Sequence, residues 1–200
     1  MDLAIELAGR LREPVPDMAE IRARLDRASH VERVAATRAL GRAQQRSLYV
    51  AAEGFLPLRL ADLVPPQRSD GTAVRHHGTN TLPAFTRFEK RFCRPRGEDR
   101  EKPASLYGWN FQRWASLTGP GYFVAVEHPS RAEVQVDYRR VPPDPPDDWP
   151  RARSNERGLA RLVYGGMVDT LRRVSEHVTI GSAARNGRDL GSWFVLVRED

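Results

Sequence analysis

The chain has 200 residues, with 32 basic and 26 acidic side chains and a formal net charge of +6. Its length suits one domain, or one domain with a helical appendage, and can bury a core without disulfides or a structural metal. A single cysteine, Cys93, excludes an internal disulfide and a cysteine-rich metal site. No apolar run approaches the roughly 18 residues of a membrane-spanning helix. The acidic N-terminus does not resemble a signal peptide, so we expect a cytoplasmic protein.

Residues 1–56 predict a helical N-terminal segment. A short helix is expected at about residues 2–11, before two closely spaced prolines. A longer helix begins at Asp17, with Glu20 at the spacing of a capping box. Its apolar positions recur every three to four residues, and the pattern can continue as far as Gly54. This segment carries no catalytic signature, so we expect it to pack on the rest of the chain, on a partner protein or on a second copy.

The pattern changes in the following residues. Residues 57–74 contain prolines and a polar run that are typical of a linker. Residues 75–200 then alternate between apolar and polar side chains, which is typical of antiparallel strands. About six strands are expected, and the runs that suit them cover residues 85–92, 106–114, 122–128, 132–138, 177–180 and 192–197. Turns at residues 129–131 and at Asn186-Gly187 predict two hairpins.

A proline-rich connection separates the two hairpins. Its five prolines within residues 141–150 exclude a central strand or a helix interior. Residues 157–174 then predict a short helix, weakened by Gly165 and Gly166. The whole chain therefore predicts an α+β protein, in which a helical segment precedes an antiparallel, lipocalin-like β-barrel or strongly curved sheet. Its many aromatic residues favour a barrel that is filled with side chains or holds one small ligand.

Signatures of chemistry are few. The sequence contains no nucleophile elbow, phosphate-binding loop, dinucleotide fingerprint or metal-binding histidine spacing. Cys93 lies among arginines that would lower its thiol pKa, but the sequence offers it no base. His76 and His77 are neighbours, so on a strand they point to opposite faces and cannot chelate one metal. His177 opens a strand, where a position at the mouth of the barrel is expected. We therefore assign no catalytic residue, metal or cofactor.

Polar side chains interrupt two apolar runs and suggest where a ligand could bind. Asp137-Tyr138 and the pair Asp169 and Arg172 can be structural salt bridges or capped turns. In the alternative interpretation, Arg172 and Tyr138 meet an anionic or carbonyl group at the mouth of a barrel, because a guanidinium fork suits such groups. The predicted ligand-binding residues are Trp109, Tyr122, Tyr138, Arg172, His177 and Trp193.

The order of short motifs in the second half is similar to a known kind of domain. The motifs are Gly108-x-Asn110, Gly121-Tyr-Phe, Val136-Asp-Tyr138, Asp169-x-Leu171-Arg172-x-Val174, Ile180-Gly181 and a closing Trp193-Phe-Val-Leu. Over about residues 75–198 this order resembles lipocalin-like barrels of the calycin type, as in the domain that accompanies bacterial G-x-W-x-G proteins. The G-x-W-x-G motif is absent here, and Thr170 stands where that pattern has Glu. The resemblance implies a barrel that binds a small apolar or amphipathic molecule, such as a lipid, and implies no catalytic residues.

Four functions stay open at this point, and non-catalytic binding of a small apolar or amphipathic ligand leads them. The second is docking of a partner or a second copy through the N-terminal helix. The third is a cyclase or isomerase that uses the same cavity for acid–base work; its candidate residues are His76, His77, His177, Asp137, Tyr138 and Arg172. The fourth is binding of nucleic acid by the basic stretch between residues 87 and 100, which interspersed acidic residues disfavour.

Overall fold

The structure is a computed structural model that describes residues 2–82, 86–111, 121–146, 149 and 164–200. The described residues form five helices and eight strands. Helices α1–α5 span Leu3–Arg10, Met18–Arg27, His30–Arg38, Arg42–Ala51 and Leu60–Leu63. Strands β1–β8 span Val74–Asn80, Arg87–Cys93, Leu106–Phe111, Tyr122–Glu127, Val134–Asp137, Met167–Arg173, Val178–Arg185 and Arg188–Arg198. Each strand pairs antiparallel with its neighbours in the chain, and β8 pairs with β1 to close a barrel. The predicted α+β class with an antiparallel barrel is confirmed.

The N-terminal segment differs from the prediction in its continuity. Helix α2 begins as predicted, because an oxygen of the Asp17 side chain accepts a hydrogen bond from the Glu20 backbone N–H at 3.0 Å. The chain then breaks twice where the sequence predicts one long helix. Ser29 caps α3 and forms a reciprocal capping box with Glu32, and Gly41 caps α4. The apolar period continues across both breaks, so periodicity alone does not reveal these caps.

The helices pack on the outer face of the barrel. One apolar cluster joins Leu25 and Leu48 of the helices to Ile180, Val195 and Val197 of β7 and β8. The barrel therefore covers the buried apolar residues of this cluster, while Ile5, Val31 and Val50 stay exposed and docking of a partner through this segment stays a prediction. In the part of the chain that the structure describes, no helix is long and apolar enough to cross a bilayer.

Strand β6 lies where the sequence predicts a helix. Residues 167–173 form a strand that pairs with β5 and β7, so the helix prediction for residues 157–174 is wrong over this part. The β-branched Val168 and Thr170 suit a strand, and alternation places Asp169 and Leu171 inside the barrel. Residues 150–163 lie outside the described residues, as do parts of the predicted runs near residues 85 and 112–114. The turn at Asn186-Gly187 has the two positive φ angles of a hairpin turn, 49° and 76°.

One end of the barrel is plugged by the chain that precedes β1. Leu58 and Leu63 join the barrel core. The Nε2–H of His76 donates to the carbonyl of Leu63 at 3.0 Å. The guanidinium of Arg94 is fully buried and donates to Asp70 at 2.8 Å. Helix α5 and this plug lie within residues 57–74, and the division of the chain into residues 1–56, 57–74 and 75–200 stays a prediction. The other end of the barrel holds a cavity.

Three glycines in the barrel wall lie opposite phenylalanine residues on neighbouring strands. The pairs are Gly78 with Phe88, Gly108 with Phe123 and Gly181 with Phe194. A Cβ atom on each glycine would lie between 2.2 and 2.5 Å from the ring of its partner. Each ring therefore occupies the space over a bare backbone, which is how aromatic residues compensate for glycines in curved sheets.

We expect Gly108→Ala to lower the free energy of unfolding by about 1–3 kcal/mol, because overpacking forces the backbone or a ring to move. The new Cβ would lie 2.2 Å from Phe123 and 2.7 Å from the carbonyl oxygen of Arg91. Urea unfolding followed by circular dichroism measures the effect. The control is Gly9→Ala in α1, where a Cβ meets nothing within 4 Å. We expect this control to be neutral or to stabilise the protein by up to about 1 kcal/mol. Equal stability of the two variants would contradict the tight contact.

His76 of β1, which is buried against the plug, predicts how the stability of the fold depends on pH. Burial lowers the pKa of His76 to about 3, whereas an unfolded histidine has a pKa of about 6.5. As the pH falls below 6.5, the unfolded chain binds the proton first. The stabilising contribution of neutral His76 is therefore complete above pH 6.5 and is lost as the pH falls towards 3, by at most about 1.4 kcal/mol per pH unit. We expect His76→Gln to flatten this slope between pH 6.5 and 4 in urea unfolding, and His128→Gln to leave it unchanged. An unaltered slope in the His76 variant would refute this assignment.

Candidate functional site

A cavity of about 290 Å³ opens at the end of the barrel opposite the plug. Its volume lies near the lower limit of the roughly 300–1,000 Å³ that is typical of ligand pockets. Five of the fifteen described lining residues are aromatic, and these are Phe88, Tyr138, Tyr164, Trp193 and Phe194. Leu82 and Leu190 lie at the mouth and expose 47% and 45% of their surface. The cavity therefore offers apolar surface both at its rim and inside, beside the polar side chains of Asn80, Arg185 and Ser192.

Four polar side chains from different strands meet in this cavity, and we call them the polar cluster. Its members are Lys90 on β2, Asn110 on β3, Tyr138 immediately after β5 and Asp169 on β6, each 4% exposed or less. The Lys90 ammonium donates to Asp169 Oδ2 at 2.9 Å, to Asn110 Oδ1 at 3.3 Å and to the Tyr138 hydroxyl. The Asn110 amide donates to the Tyr138 hydroxyl at 2.9 Å, and this hydroxyl donates to Asp169 Oδ2 at 3.3 Å.

Burial controls the electrostatics of the polar cluster. It lowers the pKa of Lys90, and the nearby Asp169 carboxylate opposes this shift. Burial also raises the pKa of Tyr138 well above its ordinary value, so its hydroxyl keeps its proton. The Lys90 Nζ lies 5.2, 4.8 and 5.0 Å from the ring centres of Phe123, Tyr138 and Phe194. These rings supply cation–π attraction that replaces part of the lost hydration.

One polar atom of this cluster is unsatisfied. Asp169 Oδ1 is buried and has no hydrogen-bond partner among the described residues. Its other oxygen, Oδ2, already accepts from Lys90 and Tyr138. Buried oxygens without a hydrogen-bond partner are uncommon in folded proteins, and each one calls for a physical explanation.

Two of the six predicted ligand-binding residues, Tyr138 and Trp193, line the cavity. Trp109 and Tyr122 belong instead to a separate cluster with Cys93 and Trp149. They alternate with Gly108 and Phe123, which meet inside the barrel, and so they point outwards.

The last two predicted residues, Arg172 and His177, also lie away from the cavity. Arg172 donates to Glu133 at 2.7 Å and to the carbonyl of Tyr49 in α4 at 2.8 Å. Its guanidinium carbon lies 4.1 Å from the ring centre of Tyr49, so it joins the helical segment to the barrel. His177 lies between β6 and β7 at the plugged end, with Nδ1 3.1 Å from Asp200.

The histidine-based acid–base set does not assemble in the cavity. Among the described residues that line the cavity there is no histidine. His76 faces the interior at the plugged end, and the ring of His77 lies 5.2 Å from that of His30. The basic stretch is also divided, because Lys90 is buried inside the barrel and Arg94 is buried against the segment that plugs its end. The described residues form no group of three or more potential metal ligands from His, Cys, Asp and Glu.

Sequence reasoning missed Lys90, Asn110 and Asp169 as a joint site. A signal existed, because Lys90 is one of only two lysines among 32 basic residues. It also alternates with Phe88 and Phe92, which predicts that all three face the same side of a strand. The sequence does not reveal that this side is the interior.

Comparisons with protein-family models, with curated proteins and with solved structures find no match for this chain. The closed eight-stranded antiparallel barrel is consistent with a lipocalin-like fold. The resemblance of residues 75–198 to lipocalin-like domains stays a prediction.

The polar cluster predicts a specific pattern of stability. Lys90→Met leaves the Asp169 carboxylate buried without its counter-ion, so we expect it to lower the free energy of unfolding by about 3–5 kcal/mol. The double variant Lys90→Met/Asp169→Leu removes both charges and should recover most of this loss. The exposed Lys102→Met serves as a control and should change stability by less than about 0.5 kcal/mol. Urea unfolding at pH 7.5 compares the variants. A double variant no more stable than the single one would show that the cost does not come from an unpaired charge.

Proposed function

We propose that this protein binds one small, mainly apolar molecule with a single polar end, and that it does so without chemistry. The observation that carries the proposal is the composition of the cavity. Aromatic and aliphatic walls surround the buried polar cluster, in which Lys90 and Asp169 compensate each other's charge at 2.9 Å, and the other polar residues of the described lining are Asn80, Arg185 and Ser192. Ligand pockets typically combine such apolar walls with a few polar groups that fix orientation.

The walls supply affinity and the polar cluster supplies orientation. A ligand body between Phe88, Tyr164 and Phe194 removes apolar surface from water, at about 25 cal/mol for each Å² buried. Leu82 and Leu190 at the rim extend this contact, because a bound molecule covers part of their exposed surface. The polar end of the ligand then lies at the polar cluster, where it finds a fixed set of hydrogen-bonding groups.

The lipocalin-like resemblance of residues 75–198 supports the same proposal, because such barrels hold small apolar or amphipathic molecules. We include in the proposal a cytoplasmic location and a role that needs no cofactor. The acid–base alternative loses support, since the cavity lining among the described residues lacks a histidine. Docking of a second copy or partner through the helical segment stays a separate prediction.

Titration with 1-aminoanthracene, a small aromatic probe whose fluorescence rises in apolar surroundings, tests the proposal. We expect saturable binding of one probe per chain with a Kd in about the micromolar range, as is typical for ligands of this size. Ala183→Phe places a ring into the cavity and should weaken binding about tenfold or more. Ala184→Phe is the matched control, because Ala184 is not among the described residues that line the cavity.

Circular dichroism establishes that each variant is folded before its affinity is compared. A folded wild-type protein without saturable binding would refute the proposed function. Equal affinity of the wild type and the Ala183 variant would place the probe outside the cavity and would refute it as well.

A further inference from the structure

We propose that the polar end of the ligand is a neutral hydroxyl group that donates a hydrogen bond to Oδ1 of Asp169. The protein would then be a receptor for small apolar alcohols rather than for carboxylic acids or amines. This inference rests on the proposed function and specifies the chemical class of its ligand. It follows from which hydrogen-bonding groups of the polar cluster are already used.

The donors of Lys90 are all engaged within the protein. An ammonium has three N–H groups, and Lys90 has three acceptors in reach. They are Asp169 Oδ2 at 2.9 Å, Asn110 Oδ1 at 3.3 Å and the Tyr138 hydroxyl. A carboxylate or carbonyl oxygen on the ligand would therefore have to displace one of these acceptors from the lysine.

The Tyr138 hydroxyl is engaged as well. It accepts from Lys90 and from Asn110 at 2.9 Å, and it donates to Asp169 Oδ2 at 3.3 Å. A phenol has one O–H donor and two acceptor sites, so these contacts use its full capacity.

Asp169 Oδ1 provides the unused capacity. It is buried without a partner among the described residues, and Asp169 itself is 2% exposed and lines the cavity. An ionised carboxylate only accepts hydrogen bonds, so the group that satisfies Oδ1 has to be a donor. A buried acceptor without a donor costs free energy that a suitable ligand restores on binding.

Charge decides between the possible donors. Lys90 and Asp169 together carry no net charge, and aromatic rings surround them. A ligand ammonium would place a second cation beside Lys90, and a ligand carboxylate would place a second anion beside Asp169. Both arrangements bury an uncompensated charge, which is costly away from water. A hydroxyl donates a hydrogen bond and adds no charge.

A different arrangement is available to a carboxylic acid, and the experiment has to distinguish it. Arg185 lies at the mouth of the cavity, so an acid could bind with its apolar chain inwards and its carboxylate at the rim. In that arrangement Asp169 Oδ1 would stay unsatisfied, and the affinity would depend on Arg185 instead.

The test compares two isomers of the same size, of which only one can donate a hydrogen bond. 1-Decanol and methyl nonyl ether have the same formula, but only the alcohol carries an O–H group. Displacement of bound 1-aminoanthracene at pH 7.5 gives their dissociation constants. We expect 1-decanol to bind about tenfold or more tightly than the ether, since a hydrogen bond to a charged acceptor is worth at least that ratio. Decanoate should bind more weakly than the alcohol.

Two variants test whether the preference for the alcohol over the ether comes from Asp169 Oδ1. Asp169→Asn keeps the volume but replaces one carboxylate oxygen by an amide N–H₂, so the preference for the alcohol over the ether should fall to nearly onefold. Arg185→Gln should leave this preference unchanged. If Asp169→Asn does not fold, the comparison of the two isomers on the wild-type protein decides alone.

The outcomes separate this inference from the proposed function. Equal affinities of the two isomers, tighter binding of decanoate, or failure of all three compounds to displace a bound probe would overturn the hydroxyl assignment while the cavity stays a binding site. Absence of any saturable probe binding would overturn the proposed function itself.

Discussion

The ion pair between Lys90 and Asp169 crosses the interior of the barrel from one wall to the other. Lys90 belongs to β2 and Asp169 to β6, which are four strands apart in either direction around the closed sheet. Strand pairing brings these two residues together only if the barrel closes with the correct register. The pair is in turn stable only if the surrounding structure keeps it away from competing water and fully hydrogen-bonded, because buried charges are costly unless they are compensated. Closure of the sheet and stability of the ion pair therefore depend on each other.

The rest of the molecule provides these conditions. The plug around His76 and Arg94 closes one end, and the apolar core below the ion pair fills the barrel there. The helices cover the outside of β7 and β8. The polar cluster thus separates a packed half of the barrel from a hollow half. Asp169, which ties β6 to β2 on the opposite wall, is the only charged group that Lys90 contacts among the described residues.

Much of the fold could be predicted from the sequence, and the site only in part. Period-two alternation and two turn signals predicted an antiparallel barrel or curved sheet of about six strands, because both signals are local, whereas the closed sheet has eight strands. The breaks between helices at Ser29 and Gly41 were not predicted, because the apolar spacing continues through them. Strand β6 was not predicted, because its apolar residues also fit a helical spacing. Only pairing with β5 and β7 decides between helix and strand.

The residues of the site were harder to predict than the strands that carry them. Alternation divides the residues of a strand into two faces, but it does not identify the inner one. Trp109 and Lys90 lie on neighbouring strands, and the register turns the tryptophan outwards and the lysine inwards. Tyr138 and Trp193 could be predicted to line the cavity because aromatic residues on alternating strands favour a barrel that holds one small ligand. Lys90 and Asp169 become a pair only through contacts between residues 79 positions apart in the chain.

The paired glycines and phenylalanines of the wall have a consequence for how such a protein can diversify. Phe88 and Phe194 border the cavity, each ring lies over a glycine of the adjacent strand, and the two ring centres are 5.9 Å apart. Because a glycine has no side chain, these two rings are the side chains that form the cavity wall at this place. Exchange of one ring for a smaller residue would widen the cavity, and it would also uncover the glycine backbone and remove a contact with the other ring. The volume of this cavity is therefore set at two positions by single side chains, which natural variation or engineering can change one at a time at a cost in packing.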